Sequence, residues 1–251
     1  SKADFYDVNF KLTHKLNENQ RISLSGYISH DGFKFASDTL YSWQTQSLSF
    51  KHNALWGNLS HNFTAFVSDY QYGIEGMKKG LEFDWNPSIK QKTVREDLSL
   101  DLKGKGRLDF GAEYNQYQND AGTFRPTSAS SEVNEFPMQV ENSREMAIYV
   151  GHSLPIGKRI SLDYGLRYAY FQLLVPLQIY QYRLGTPRTL TSLTDTLRFA
   201  SSDVIQSYGG LEPRVSLAVK LDSSTSVKFG FNRMQQFMHL LSNTMAISPV
   251  D

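Results

Sequence analysis

The chain has no cysteine in 251 residues, which excludes disulfides, thiolate metal centres and cysteine nucleophiles. It has almost no net charge: 26 Lys and Arg against 25 Asp and Glu give +1. The basic residues are scattered, so the footprint of a nucleic-acid binder is missing. No apolar run approaches the roughly 20 residues that a transmembrane helix needs. There is no P-loop, GxSxG or EF-hand pattern. The six histidines, at 14, 30, 52, 61, 152 and 239, show no short metal-ligand spacing. No secretory leader opens the chain, which enters strand-like sequence at once with Asp4-Phe5-Tyr6.

Aromatic residues, by contrast, are abundant. Sixteen Phe, 14 Tyr and 3 Trp occur in a chain of mean hydropathy −0.43. That combination suits a sheet whose apolar residues sit on one surface. Period-two alternation supplies the sheet. Val215, Leu217, Val219 and Leu221 form one apolar parity, and Val227, Phe229 and Phe231 another, across a polar turn at 222–225. Val8, Phe10, Leu12 and Leu16 alternate with Asp7, Asn9, Lys11, Thr13 and Lys15. Similar segments recur along the chain and predict ten strands.

The connections are sorted by length. Short turns are expected near 17–20, 53–57, 104–106, 155–159 and 222–225, and long ones near 31–44, 73–87, 119–142 and 173–210, in strict alternation. All short connections then lie at one end of the sheet, as in outer-membrane barrels with short periplasmic turns and long extracellular loops. The fold class predicted is all-β: an antiparallel transmembrane β-barrel segment of about ten strands, spanning residues 1–251 with no plug domain. The apolar parity would face membrane lipid and lipopolysaccharide. The polar parity, with Asp97, Asp101, Lys103, Asp163 and Arg167, would face a lumen, since such charges are costly in a dry core. Tyr164, Tyr168 and Tyr170 read as one interfacial girdle and Trp56, in a short turn, as the other. The first strand runs into a short turn and the tenth follows one, so both ends are expected at the extracellular side. A self-contained barrel of this class normally has both in the periplasm, which predicts an internal piece lacking at least one strand on each side.

From Gly209 onward the chain resembles the TonB-dependent receptors of Bacteroidetes-type outer membranes. The residues carrying the likeness are Leu211-Glu212-Pro213-Arg214-Val215-Ser216-Leu217 and Phe231-Asn232-Arg233-Met234-Gln235-Gln236-Phe237-Met238-His239-Leu240-Leu241-Ser242-Asn243. The resemblance implies a Gram-negative outer-membrane barrel of about 22 strands with a plug in its lumen. Such a receptor imports a scarce ligand (siderophore, cobalamin, oligosaccharide or peptide) with energy from TonB, through regions absent from this chain. It implies no cofactor and no enzymatic activity. A passive porin-like or structural barrel is the alternative, and an outer-membrane hydrolase built on His30-Asp31 a more remote one.

Ligand-contact candidates are aromatic and cationic residues expected on long loops: Trp43, Trp85, Tyr180, Tyr182, Arg183 and Arg188. Aromatic faces beside positive charge suit carboxylates, catecholates or sugars; packing of loop on loop, or a membrane girdle, is the bland alternative. Phe237-Met238-His239-Leu240-Leu241 is too apolar for a free loop. It is expected to pack inward on neighbouring loops or a plug, or to meet a surface lipoprotein.

Overall fold

A strand with one apolar parity satisfies its backbone only edge to edge, so hairpins must pair serially. The computed structural model describes residues 2–34, 39–138, 140–174, 178–186, 192–198 and 203–238. In chain order the strands are β1 (Lys2–Asn17), β2 (Gln20–Lys34), β3 (Thr39–Trp56), β4 (Leu59–Gly76), β5 (Phe83–Trp85), β6 (Ser88–Asp101), β7 (Arg107–Asp120), β8 (Thr123–Pro126), β9 (Phe136–Pro137), β10 (Val140–Ile156), β11 (Ile160–Leu174), β12 (Gln178–Tyr182), β13 (Leu193–Arg198), β14 (Val204–Lys220) and β15 (Ser226–Asn232). Ten of them form a single antiparallel path, β1-β2-β3-β4-β6-β7-β10-β11-β14-β15. These are the ten expected strands in the expected order. β5, β8 and β9 extend the sheet above β4, and β12 pairs with β13 separately. β1 and β15 do not pair with each other, so the described sheet is open.

Cross-strand partners share a face of the sheet, so the register separates the two surfaces. One row reads Leu12, Leu24, Phe50, Ala65, Val94, Tyr114, Met146, Tyr170 across eight strands. The neighbouring row on the other face reads Thr13, Ser23, Lys51, Thr64, Arg95, Glu113, Ala147, Ala169. One face is therefore mainly apolar and the other mainly polar. Among the described residues nothing covers the apolar face: Ile148 and Phe229 are 63% and 64% exposed. Among the described residues only seven hydrophobic side chains are buried. Water-soluble monomers rarely leave an apolar surface of this extent uncovered.

The short connections fall in the expected order along the chain. Trp56 closes β3, and Gly57-Asn58 makes a two-residue hairpin with Gly57 at φ 65°. A positive φ at the first turn position suits glycine and matches the twist of the flanking strands. Between β14 and β15, the Ser224 amide and hydroxyl and the Thr225 amide donate to Asp222 Oδ1 at 2.7–2.8 Å. Those hydrogen bonds, the Ser224 amide foremost, hold the Asp222 carboxyl below the usual carboxylate range. Trp56 is exposed on the apolar face at this end. Tyr164, expected in the far girdle, shares the cross-strand row of Trp56 through Leu59, Leu100, Leu108 and His152 and so belongs to the short-turn end; Tyr168 lies four residues further along β11 on the same face.

Two expectations need correction. The connection expected at 31–44 shrinks to 35–38, because β2 and β3 stay paired out to Lys34 and Leu40. Past the apolar band the outward parity turns polar, with His30, Gly32, Ser42 and Gln44, while the other parity carries Phe33, Tyr41 and Trp43, so the apolar-out alternation ends before the backbone ladder does. The turn expected at 53–57 is confined to 57–58, with Asn53 to Trp56 still paired to β4.

Candidate functional site

Placing Trp43 on β3 instead of in a loop sets it on the polar face, opposite Tyr72 of β4. Trp85 reaches the same place from β5, which pairs with the last turns of β4 through Ile74. Tyr72 joins the two indoles: its ring centroid is 5.6 Å from Trp43 and 6.2 Å, edge-on, from Trp85. The ladder continues from Trp43 to Tyr41 at 6.5 Å, from Trp85 to Phe124 at 5.6 Å, and from Phe124 to Phe83 at 4.8 Å. Six rings thus form one chain at the long-connection end of the polar face. Offset and edge contacts of this kind stabilise by about 0.5–1.5 kcal/mol per pair beyond the burial of area.

Expected as a surface aromatic, Trp85 is instead 6% exposed, and its indole N–H donates to Ala121 O at 2.7 Å. It acts as the floor of the ladder. Trp43 and Tyr72 are half-buried and carry the accessible ring faces. Tyr182 and Arg183 belong to the separate β12–β13 hairpin, where the Arg183 amide donates to Ser192 O. The Tyr180 side chain and Arg188 lie outside the described residues. Tyr41, Tyr72, Phe83 and Phe124 were missed by sequence reasoning. Aromatics two apart, as in Tyr41-Ser42-Trp43, Tyr70-Gln71-Tyr72 and Phe83-Asp84-Trp85, were the available signal, because i and i+2 share a face.

Below the ladder, two of the charged groups on the polar face each tie three strands together. Arg95 makes a fork on Asp97, with N–O distances of 2.8–3.0 Å, and reaches Glu113 at 3.4 Å. The Tyr149 hydroxyl donates to Asp97 from two strands away, lying across Gly111. A Cβ at Gly111 would stand 2.2 Å from Glu96 O and 2.6 Å from the Tyr149 hydroxyl. Gly111→Ala is therefore expected to displace Tyr149 from Asp97 and to cost about 1–3 kcal/mol of stability through overpacking. Denaturant titration checks the stability, and the ultraviolet tyrosine titration checks the lost contact.

The second group is on β10, β11 and β14. Arg167 donates to Glu212 at 2.9 Å and to Glu145 at 3.4 Å. Glu212 is buried, and its other oxygen accepts the Gln235 amide at 2.9 Å. The chain leaving β15 is thereby turned back across the polar face. The Arg233 amide donates to Pro213 O at 3.1 Å. Phe237 stacks on Phe171 of β11 at 5.6 Å, and Met238 Sδ lies 3.2 Å from Ser143 Oγ of β10. The inward packing expected of residues 237–241 is thus seen for Phe237 and Met238; 239–241 lie outside the described residues.

Neighbours on a strand point to opposite faces, so His30 and Asp31 do not pair with each other. His30 instead sits 3.5 Å from Asp4 and stacks on Tyr6. On the apolar face His61 uses one ring nitrogen towards His52, at 3.2 Å, and the other towards Glu96, at 2.6 Å, so the three do not converge on one point. No group of three or more metal-ligating side chains occurs among the described residues.

A meander of antiparallel strands with an uncovered apolar face, a charged opposite face and length-sorted connections is the wall of an outer-membrane-type β-barrel. Within that class the chain belongs to the TonB-dependent receptor-like β-barrel family, whose family model matches residues 2–237. The fold is shared with the ferric-catecholate import receptor Fiu of E. coli (TM-score 0.66, 12% identity, 92% of this chain and 43% of that one). It is shared too with the copper transporter OprC (TM-score 0.70, 10% identity, 94% and 39%). The FrpB iron transporter of Neisseria meningitidis is a third similar structure (TM-score 0.65, 12% identity, 92% and 36%). The chain spans less than half the length of each of these. No curated protein sequence matches it.

Proposed function

We propose that the chain is part of the barrel of a Gram-negative outer-membrane receptor that binds a scarce ligand and imports it with energy from TonB. The family match over residues 2–237 carries this reading. In it the apolar face meets lipid, the polar face lines the lumen, and the long connections lie outside the cell. The strand entry Leu211-Glu212-Pro213-Arg214 supports a receptor of the Bacteroidetes type.

The ladder from Tyr41 to Phe124 is the ligand platform of this reading. Its accessible faces, Trp43 and Tyr72, stand on paired strands, so the platform is rigid and loses little freedom on binding. Stacked indole and phenol rings suit a ligand with an aryl or sugar face, such as a catecholate siderophore or an oligosaccharide. Of the similar structures, Fiu is a ferric-catecholate import receptor, OprC a copper transporter and FrpB an iron transporter.

The test uses the whole receptor in an outer membrane, offered ferric catecholates, cobalamin and maltooligosaccharides in turn. Uptake of one of these is expected, and its collapse when the proton-motive force is dissipated separates active import from a passive pore. Trp43→Ala with Tyr72→Ala is expected to weaken binding of that compound about tenfold or more, two aromatic contacts being lost. Passage that continues unchanged without the proton-motive force would sink the import reading.

A further inference from the structure

The polar face is divided along the sheet. On β6, β7, β10, β11 and β14 it carries ionised residues tied to one another around Arg95 and Arg167. Below Trp43, β3 presents Thr45, Ser47 and Ser49 on this face, and β4 presents Tyr70, Ser68 and Phe66 opposite them. β2 sets Ser29 beside Thr45 and Tyr27 beside Ser47. Between Trp43 and the Asn53–Asn62 amide pair, Lys51 is the only ionised residue on this face of the three strands. Asn53 follows Trp43 by ten positions, about 34 Å of strand, which exceeds the roughly 25 Å apolar band of such barrels. A nearly neutral track thus runs from the aromatic ladder towards the short turns.

The hydroxyls of this track are uncommitted. Thr45, Ser47, Ser49, Ser68, Tyr27 and Tyr70 make no side-chain hydrogen bond among the described residues. Ser29 is only 8% exposed, yet its hydroxyl, facing Thr45, likewise has no partner among them. On the charged side, the Thr93 hydroxyl donates to Asn115, which in turn donates to Glu113. Polar groups left unpaired in a protected place are costly, so the track is open to a hydrogen-bonding partner from the lumen.

We propose that the imported ligand is an uncharged saccharide and that it descends along β2, β3 and β4 from the ladder towards the short turns. The inference rests on the import reading and narrows it. Sugar rings lay their C–H faces on Tyr70, Tyr27 and Phe66, and sugar hydroxyls pair with Thr45, Ser47, Ser49 and Ser68. Each neutral hydrogen bond is weak, and the next hydroxyl on a strand lies one same-face step, about 7 Å, below. Passage needs several weak sites in series, since one deep site would trap the ligand. A multiply charged ferric chelate would leave water here with a single ammonium to face it.

The experiment offers maltotriose to cells carrying the whole receptor in their outer membrane. Ser47→Trp with Ser68→Trp puts two indoles in the track, about 14 Å below Trp43 and Tyr72 and so clear of the platform. Uptake is expected to fall about tenfold or more, the track being constricted. Binding to de-energised cells is expected to keep its Kd within about twofold. Ser153→Trp with Ser216→Trp adds the same bulk on β10 and β14, on either side of Asp163, and should leave uptake unchanged. Equal surface abundance and retained maltotriose binding show that both variants fold.

Unchanged uptake in the first variant, or equal losses in both, overturns the track. Loss of binding together with uptake in the first variant assigns its effect to the platform and overturns the track as well. Uptake of a ferric catecholate but not of maltotriose overturns the saccharide and leaves import standing. Passage of maltotriose that ignores the proton-motive force, blocked by the first variant alone, keeps the track and removes active import.

Discussion

Replacing Leu166 by Arg is expected to cost about 2–4 kcal/mol of folding stability in a bilayer, the penalty for a cation near the hydrocarbon midplane on a barrel's outer surface. Leu166 sits at the middle of β11, and its partners Val150 and Pro213 are apolar too. It is 41% exposed, so no packed core surrounds it and no cavity or overpacking term enters. In a water-soluble sheet, an exposed leucine replaced by arginine would change stability by no more than about 0.5 kcal/mol. The sign and size of the effect thus report which medium covers the face. The control is Ser216→Arg on the polar face, exposed and directly opposite Asp163. It is expected to be neutral or slightly favourable. Urea titrations of the whole receptor in lipid vesicles measure both, and equal effects at the two positions would remove the membrane reading.

Glu212→Ala should have the next largest consequence, and it acts on the segment that crosses the polar face. Glu212 satisfies two donors at once, the Arg167 guanidinium and the Gln235 amide. Truncating it leaves Arg167 with Glu145 alone, at 3.4 Å. A fully buried ion pair broken on one side costs about 3–5 kcal/mol. Arg167 is about a quarter exposed, so water recovers part of that and the expected loss is about 2–3 kcal/mol. The Gln235 amide loses its acceptor, so residues 233–238 should detach from β14 while Phe237 retains only its stacking on Phe171. Glu212→Gln separates the two roles, because it keeps an acceptor for Gln235 and removes the charge opposite Arg167. Amide hydrogen exchange is the readout. Residues 235–238 should exchange faster in the Ala variant, remain protected in the Gln variant, and leave β10 and β11 unchanged in both. Equal protection of that segment in the unaltered receptor and the Ala variant would mean that Glu212 does not hold it.

The same residues that make Glu212 consequential are the ones that a reading of the chain alone could not connect. Leu211-Glu212-Pro213-Arg214 is visible as a strand entry, and the apolar character of Phe237 and Met238 suggests inward packing. Nothing local says that Gln235 returns to Glu212, or that Phe237 meets Phe171, which is 66 residues away in the chain. The aromatic ladder has the same character. Trp43 and Trp85 look like separate loop residues in the sequence, and Tyr72 joins them only after β3, β4 and β5 are laid in register. That pairing also explains why Trp85 is buried: β5 folds onto the upper end of β4 and brings Phe124 of β8 over the indole.

By itself the sequence determined the number of strands on the main path, their serial hairpin pairing and which parity is apolar. These follow from a period of two and from turn residues such as Gly57 and Asp222, all of which act within a few positions. Tertiary structure decided where the strands end, what the polar face carries and where the chain goes after β15. Strand ends past the apolar band are set by the backbone ladder, which no longer leaves an alternating trace once both faces are in water. The ladder of rings and the Arg167–Glu212 anchor both depend on register between strands. Register is a relation among distant segments, and it exists only once the sheet has formed.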